Sequence, residues 1–260
     1  MAIWNKDKQT YLSNNKTLFE GFVLSDKDGN PINSFGVASN IPIAAGDVTG
    51  YSHINKFGFN PAVGTGFEAV TSSGNGLNYV SSADTITVSS DSTSDDGLDI
   101  EIQGLDANYN LQTETVTLDS NETFTTTNTY IRFFRAIVQS TNVGVITIKI
   151  GTTTIDTMGA GEGQTLMAVY TVPAGKTAYF IKFQGSVEKD TGTIFRIMAR
   201  KFGGSFNVKG QFGSFGTPVT YDYPVPLIFT EKTDIEINVK AQGTTGAGAI
   251  FDLLVVDNPI

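Results

Sequence analysis

His53 is the single histidine of this 260-residue chain, and cysteine is absent. Those two facts remove most reactive chemistry at once. A Ser-His-Asp triad would have to run through His53, and no Gly-x-Ser-x-Gly elbow is present to supply the nucleophile. His53 sits in "GYSHINKFG", and a hydrogen-bonded structural role explains it better than catalysis. One histidine without cysteine does not make a zinc site, and without thiols there is no disulfide framework or thiolate nucleophile. Paired carboxylates are the remaining route to hydrolysis, as in glycosidases. The candidates are Asp95 with Asp96, Glu114, Glu188 with Asp190, and Asp234 with Glu236. Asp95 and Asp96 lie in "SDSTSDDG" and Glu188 and Asp190 in "VEKDTGT", both of which read as solvated hairpin tips. Asp234 and Glu236 alternate with Ile235 and Ile237, as the outer face of a strand does.

Other motifs are weaker. Asp26, Asp28 and Asn30 in "VLSDKDGNPIN" faintly resemble a calcium loop, but the glycine comes too early and the downstream bidentate Glu is missing. A turn accounts for them. "GAGEGQT" and "FGGSF" are glycine-rich, yet neither joins a strand to a helix with the lysine of a phosphate loop. In "KFGGSFNVKGQFGSFG", Phe202, Phe206, Phe212 and Phe215 alternate with Gly, Lys and Gln. Such a run suits an aromatic platform for a sugar or nucleic acid, or packing in a core or between subunits, where glycine lets strands approach closely. Packing is the preferred reading.

The elements that carry these residues are strands. Charged residues make up only 17% of the chain and hydrophobic ones 40%; Gly, Thr, Ser and Asn replace the missing charge and favour turns and half-buried strands. The 18 Phe and 9 Tyr argue against disorder. Period-two alternation recurs in "DTITVSS", "LDIEIQGL", "TETVTLDS", "YIRFFRAIVQS" and "GVITIKIGTTT". It resumes in "LMAVYTV", "AYFIKFQGSV", "TIFRIMARKF", "SFNVKGQFGSFG", "PLIFTEKTDIEINVKAQG" and "AIFDLLVVDN". No stretch keeps a helical period. The pattern predicts an all-β chain with two antiparallel β-sandwich domains of jelly-roll or Ig-like type and an extended N-terminal arm. The boundaries expected are 1–35 for the arm and turn, 36–157 for the first sandwich and 158–260 for the second, jelly-roll-like one. "TMGAGEGQT" is the linker candidate, because apolar patterning stops there. "YTVPAGKTAYFIKFQGSV" reads as a two-stranded ribbon turning at Pro173–Lys176, with Ala178, Phe180 and Lys182 on one face and Tyr179, Ile181 and Phe183 on the other.

A net charge of −9 makes a generic nucleic-acid surface unexpected. No cleaved signal pattern and no membrane-length apolar run are visible, so a cytoplasmically made, non-membrane product is expected. The first twenty residues are polar but carry Trp4, Tyr11, Leu12 and Phe19, as an arm docking on a neighbour would.

Several strings resemble structural proteins of tailed-bacteriophage virions, marine phages and those of cyanobacteria among them. They are "IWNKDKQTYLSNNKTLFE", "GLDANYNLQTETVTL", "GEGQTLMAVYTVPAGKTAYFIKFQGSVEK" and "FTEKTDIEINVKAQGTTGAGAIFDLLVVDN". The resemblance implies a non-enzymatic, cofactor-free virion protein. It points to a capsid decoration (cement) protein; the alternative is a tail, baseplate or fibre part, with host-receptor binding as a variant of that alternative. The partners it implies are the chain itself, as a homo-oligomer and most simply a trimer, and the major capsid protein or a neighbouring tail protein. The candidate assembly contacts are Trp4, Tyr11, Leu12, Phe19, Phe202, Phe206, Phe212 and Phe215.

Overall fold

The structure, a computed structural model, describes residues 3–5, 10–12, 18–20, 41–73, 79–119 and 123–258. The calcium-loop-like Asp26, Asp28 and Asn30 lie outside them. The chain divides into two compact units, Met1–His53 and Ile54–Ile260.

In the first unit, β1 (Ile3–Asn5), β2 (Thr10–Leu12) and β3 (Leu18–Glu20) form an antiparallel meander. Trp4, Tyr11 and Phe19 are register partners across it, and Leu12 pairs with Leu18. The expected extended arm is therefore partly folded on itself, because backbone N–H and C=O groups gain partners by pairing. A short helix, α1 (Ile41–Ala44), follows.

The chain continues through β4 (Tyr51–Val63), β5 (Glu68–Ala69), β6 (Asp84–Ser90), β7 (Asp99–Leu105), β8 (Leu111–Thr117) and β9 (Thr123–Tyr130). Next come β10 (Arg132–Val138), β11 (Ile146–Ile150), β12 (Thr153–Met158), β13 (Val169–Thr171) and β14 (Lys176–Val187). The last five strands are β15 (Gly192–Arg200), β16 (Asn207–Phe215), β17 (Val219–Phe229), β18 (Asp234–Ala241) and β19 (Thr245–Asp257). All-β architecture is as the alternation predicts. Sheets β10-β7-β8 and β12-β11-β6-β9 enclose one core, in which Ile100, Ile102, Val116 and Phe133 meet Ile86, Val88, Ile146 and Ile148. Sheets β13-β18-β15-β16, with β5 on β18, and β17-β14-β19-β4 enclose the other. There Phe195, Ile197 and Ile237 meet Phe180, Phe183, Phe251 and Leu253. Each such fully buried side chain contributes about 1.5–3 kcal/mol.

Four expectations are corrected. The strand over Tyr51–Val63, placed in the first sandwich, joins β19 in the C-terminal one. Gly58 permits this, since a Cβ there would lie 2.3 Å from the Ala168 nitrogen and 2.4 Å from the Val70 oxygen. The Pro173–Lys176 turn is not a hairpin: β13 pairs with β18 in one sheet and β14 with β17 and β19 in the other. The turn is a corner between sheets, held by Ala174 N donating to Tyr109 O (2.9 Å) and Gly175 N to a Glu231 carboxylate oxygen (2.6 Å). Gly175, at φ 71°, takes the left-handed conformation. In β14 the register slips between Phe180 and Lys182, so Ala178, Phe180 and Phe183 all reach the core. Finally, "TMGAGEGQT" is no free linker. Asn142 gathers it, donating to Gly159 O (2.8 Å) and accepting from Gly163 N (3.1 Å).

A buried ion cluster joins the two sandwiches. Arg132, on β10, donates from Nε and Nη2 to Asp234 on β18 at 2.8 and 3.2 Å. Arg200 donates to the same carboxylate at 3.0 and 2.6 Å, and Thr171 Oγ1 at 2.7 Å. Arg132 also donates from Nη1 to Ile131 O and Val80 O. Tyr79 lies under both guanidinium groups, 5.0 and 4.4 Å from its ring centroid, and donates to Glu236 at 2.8 Å. Leu105, Ile131 and Phe134 of the first sandwich pack into the core of the second around this cluster. Replacing Asp234 with Ala leaves two guanidinium groups without their acceptor. Urea unfolding should show a loss of about 3–5 kcal/mol; a loss below about 1 kcal/mol would mean that apolar packing alone holds the junction.

Candidate functional site

The groups with chemical potential do not converge. His53 is exposed on β4. Glu188 and Asp190 are exposed at their tip, as expected. Asp95 is not solvated but buried. It accepts from Ser90 Oγ (2.5 Å), Val143 N (2.7 Å) and Gly144 N (2.9 Å). Burial alone would raise its carboxyl, and these donors outweigh burial and hold it below the ordinary value. Glu114 caps Thr127 N and Asn128 N. Asp234 and Glu236, expected on an outer face, are buried, because β18 is covered on both sides. Asp234 is engaged by two arginines and Glu236 by Tyr79 and Asn238 (2.9 Å). Burial raises Glu236 above its usual value. Among the described residues no group of three or more His, Asp or Glu side chains could hold a metal ion, and no helix is long and apolar enough to cross a membrane.

One basic group is placed against its own charge. Lys56 is 5% exposed on β4, with its amine 4.9 Å from the Phe134 ring and 5.7 Å from that of Tyr170. No hydrogen bond or ion pair to its amine is found among the described residues. Burial, and then the Arg135 guanidinium, lower its pKa from 10.5 to about 7.

The surface offers a clearer site. Residues 202–230 contain two charges, Lys209 and Asp222. This segment supplies β16 and β17, which are edge strands of the two opposing C-terminal sheets. Phe202 (67% exposed), Val225 (80%), Ile228 (63%), Val208 and Tyr221 are open to solvent there. Between the strands lies a hollow of about 380 Å³, lined among others by Leu227, Ile228 and Phe229 and rimmed by Lys201 and Lys209. Pro224 and Pro226 interrupt β17, so a second strand could not zip along it continuously. An apolar double edge with blocked strand pairing suits side-chain docking.

The structure separates the four phenylalanines predicted here. Phe212 is half-buried against the core, stacked on Phe183 at 4.9 Å. Phe206 lies by Tyr79 and beneath Arg200, at 5.3 and 4.8 Å. Phe202 is exposed, edge-on to Tyr109 at 5.7 Å. Phe215 is exposed at the opposite end of β16. The sequence reading missed Val208, Tyr221, Val225 and Ile228; the signal was the run of 29 residues, 202–230, with so few charges. Trp4, Tyr11, Leu12 and Phe19 are placed by their backbone pairing alone.

No protein-family model matches this chain, and no curated protein matches it. Among solved structures, one of infectious bursal disease virus, Gt strain, is 12% identical, with a TM-score of 0.25 over 80% of this chain and 72% of that one. The crystal structure of the PBSX exported protein XepA is 9% identical, with a TM-score of 0.19 over 90% of this chain and 99% of that one. Likeness at that level carries no argument about family or function.

Two outcomes are expected. Between pH about 7 and 10.5 the unfolded chain holds a proton on Lys56 that the folded chain does not, so stability rises with pH through that window. The full cost of the buried cation is present below about pH 7. Lys56→Met should raise stability near neutral pH by roughly 2 kcal/mol or more and flatten that rise; urea titrations across the window would show an unchanged slope if the amine were stabilised by its rings. Separately, Val225→Asp with Ile228→Asp should leave the thermal transition in place, since both residues are exposed. If copies associate through this face, the pair should weaken that association at least about tenfold in sedimentation equilibrium.

Proposed function

We propose that this chain is a non-catalytic structural protein of a bacteriophage particle that works by assembly, as a capsid decoration protein on the head shell. The single observation that carries an assembly role is the charge-poor, apolar double edge over residues 202–230 on a molecule of net charge −9. Such a chain repels copies of itself over most of its surface. Contact is favourable where charge is scarce and apolar area is exposed. Lys201 and Lys209 at the rim of the hollow add attraction for an acidic neighbour, a second copy included. Closed symmetric association follows as the usual outcome of such a contact, and a homotrimer is the simplest form consistent with decoration of a shell.

The particle itself is suggested by the phage-virion strings of the sequence, two of which, "GEGQTLMAVYTVPAGKTAYFIKFQGSVEK" and "FTEKTDIEINVKAQGTTGAGAIFDLLVVDN", supply β13, β14, β18 and β19 of the C-terminal sandwich. The first of these includes the corner at Pro173–Lys176, and the second begins at the end of β17 and includes Asp234. The role needs no cofactor, nucleic acid or membrane. Its proposed partners are further copies and the major capsid protein.

Labelled antibody on intact particles should decorate the head shell, and label confined to the tail would reject decoration in favour of a tail or baseplate part. A chain lacking residues 1–20 should keep the unfolding transition of the second unit and fail to bind undecorated heads in a pelleting assay. Normal binding by that chain would remove the N-terminal meander from the docking surface.

A further inference from the structure

At the other end of the same sheet lies a groove of about 750 Å³, within the range of small-ligand sites. It runs over the outer face of the sheet and not along its edge. Its floor is the register-matched row Lys240, Ile194 and Gly213 on β18, β15 and β16. The main chains of β15 and β18 are already paired on both sides there, so an occupant is recognised by side chains and does not add a strand.

The wall is Phe215, 66% of which faces solvent. Gly213 leaves the floor bare, and a Cβ placed on it would meet nothing within 4 Å. Around the rim stand Thr65, Thr217 and Gln242, all exposed, whose side-chain oxygen and amide groups make no hydrogen bond within the described protein. No carboxylate lines the groove, and the single cation, Lys240, rests 4.8 Å from the Phe67 ring. One cation is too little for a polyphosphate or nucleic-acid backbone, whose affinity comes from many such contacts. Without a carboxylate pair the groove cannot cleave a glycosidic bond by the two-acid route.

We propose that this groove is a binding subsite for neutral oligosaccharides. The C–H face of a pyranose packs on the Phe215 ring, while hydroxyl groups exchange hydrogen bonds with Thr65, Thr217, Gln242 and the Lys240 ammonium. Alternating apolar faces and hydroxyl edges are what distinguish a sugar from a purely apolar ligand, and the groove offers one aromatic wall with neutral amide and hydroxyl groups facing it. The site is separate from the apolar double edge at Val225 and Ile228, so it stands or falls independently of the assembly role.

The test uses the full chain with maltotriose, cellotriose, chitotriose and β-1,4-galactotriose as probes, followed by saturation-transfer NMR and calorimetry. At least one trisaccharide should bind with a Kd of about 1 mM or tighter. Phe215→Ala and Gly213→Leu should each weaken that binding about tenfold or more, with an unchanged unfolding transition because both positions are open to solvent. Phe202→Ala, at the far end, should leave it intact. The absence of binding at about 10 mM of every probe, or binding that survives both groove variants, overturns the proposal.

Discussion

Asp234 is 3% exposed and accepts hydrogen bonds from two guanidinium groups that reach it from different sandwiches. Taking such charges out of water costs several kcal/mol per ion, and the cost is offset only because the carboxylate's lone pairs are filled by Arg132, Arg200 and Thr171 together. Arg132 comes from β10 and Asp234 begins β18, 102 residues apart. Much of the remaining structure is arranged around that meeting. Leu105, Ile131 and Phe134 cross into the C-terminal core beside it, and Tyr79 is held flat beneath both cations. The corner at Pro173–Lys176 lies close by, since Val172 N donates to Thr233 O, next to Asp234. A pair of sandwiches joined this way behaves as one body, consistent with the single compact unit over Ile54–Ile260. Rigidity of that kind would suit the proposed assembly role.

The same cluster explains the distribution of charge outside it. Several of the chain's arginines are spent on internal packing. Arg132 and Arg200 hold Asp234, Arg135 lies 4.5 Å from the Phe57 ring, and Arg196 lies 3.8 Å from that of Phe67. With 26 Asp and Glu against 17 Lys and Arg, acidic side chains are in excess, and that excess sets copies to repel one another. Against that background the stretch 202–230 stands out by having two charges. Pro224 and Pro226 guard its edge against open-ended strand pairing while leaving Val225 and Ile228 available for a shaped partner.

Alternation made the strands legible, because a half-buried strand must show its period in the sequence. It failed where the physical premise failed. Asp234 and Glu236 obey the alternation, but their face is covered by Tyr79 and Arg132, and a strand buried on both sides gives no outer face to read. Phe183 reaches the core because a bulge shifts the register of β14, and a one-residue slip reverses every side chain beyond it. The Pro-Ala-Gly-Lys turn looked like a hairpin since local chemistry fixes a turn's shape but not which sheet the next strand joins. For the candidate site, Phe202 and Phe215 were legible as aromatic and glycine-flanked. Their separation to opposite ends of β16, with Phe212 and Phe206 turned to packing, depends on long-range pairing. Lys56 was invisible: a lone lysine in "HINKFG" carries no sign that Phe134 and Tyr170 will enclose it.

The two ends of the C-terminal sandwich therefore differ in kind. Near Ile228 the exposed groups are aliphatic, two lysines stand at the rim, and the available contact is broad and non-directional, which favours a protein surface. Near Phe215 the exposed groups are one ring and several hydroxyl and amide groups around a bare glycine floor, which favours a small polar ligand with an apolar face. If copies associate through the first end, the second is left facing away from that contact, since the intervening length of β16 is nine residues of extended strand, roughly 30 Å. Oligomerisation would then multiply the groove without covering it. Weak individual sites held on one rigid assembly gain by effective concentration whatever their single-site affinity, provided the ligand is itself repeated along a chain or surface. A neutral polysaccharide is such a ligand. Millimolar affinity per groove is therefore not an argument against a role for it.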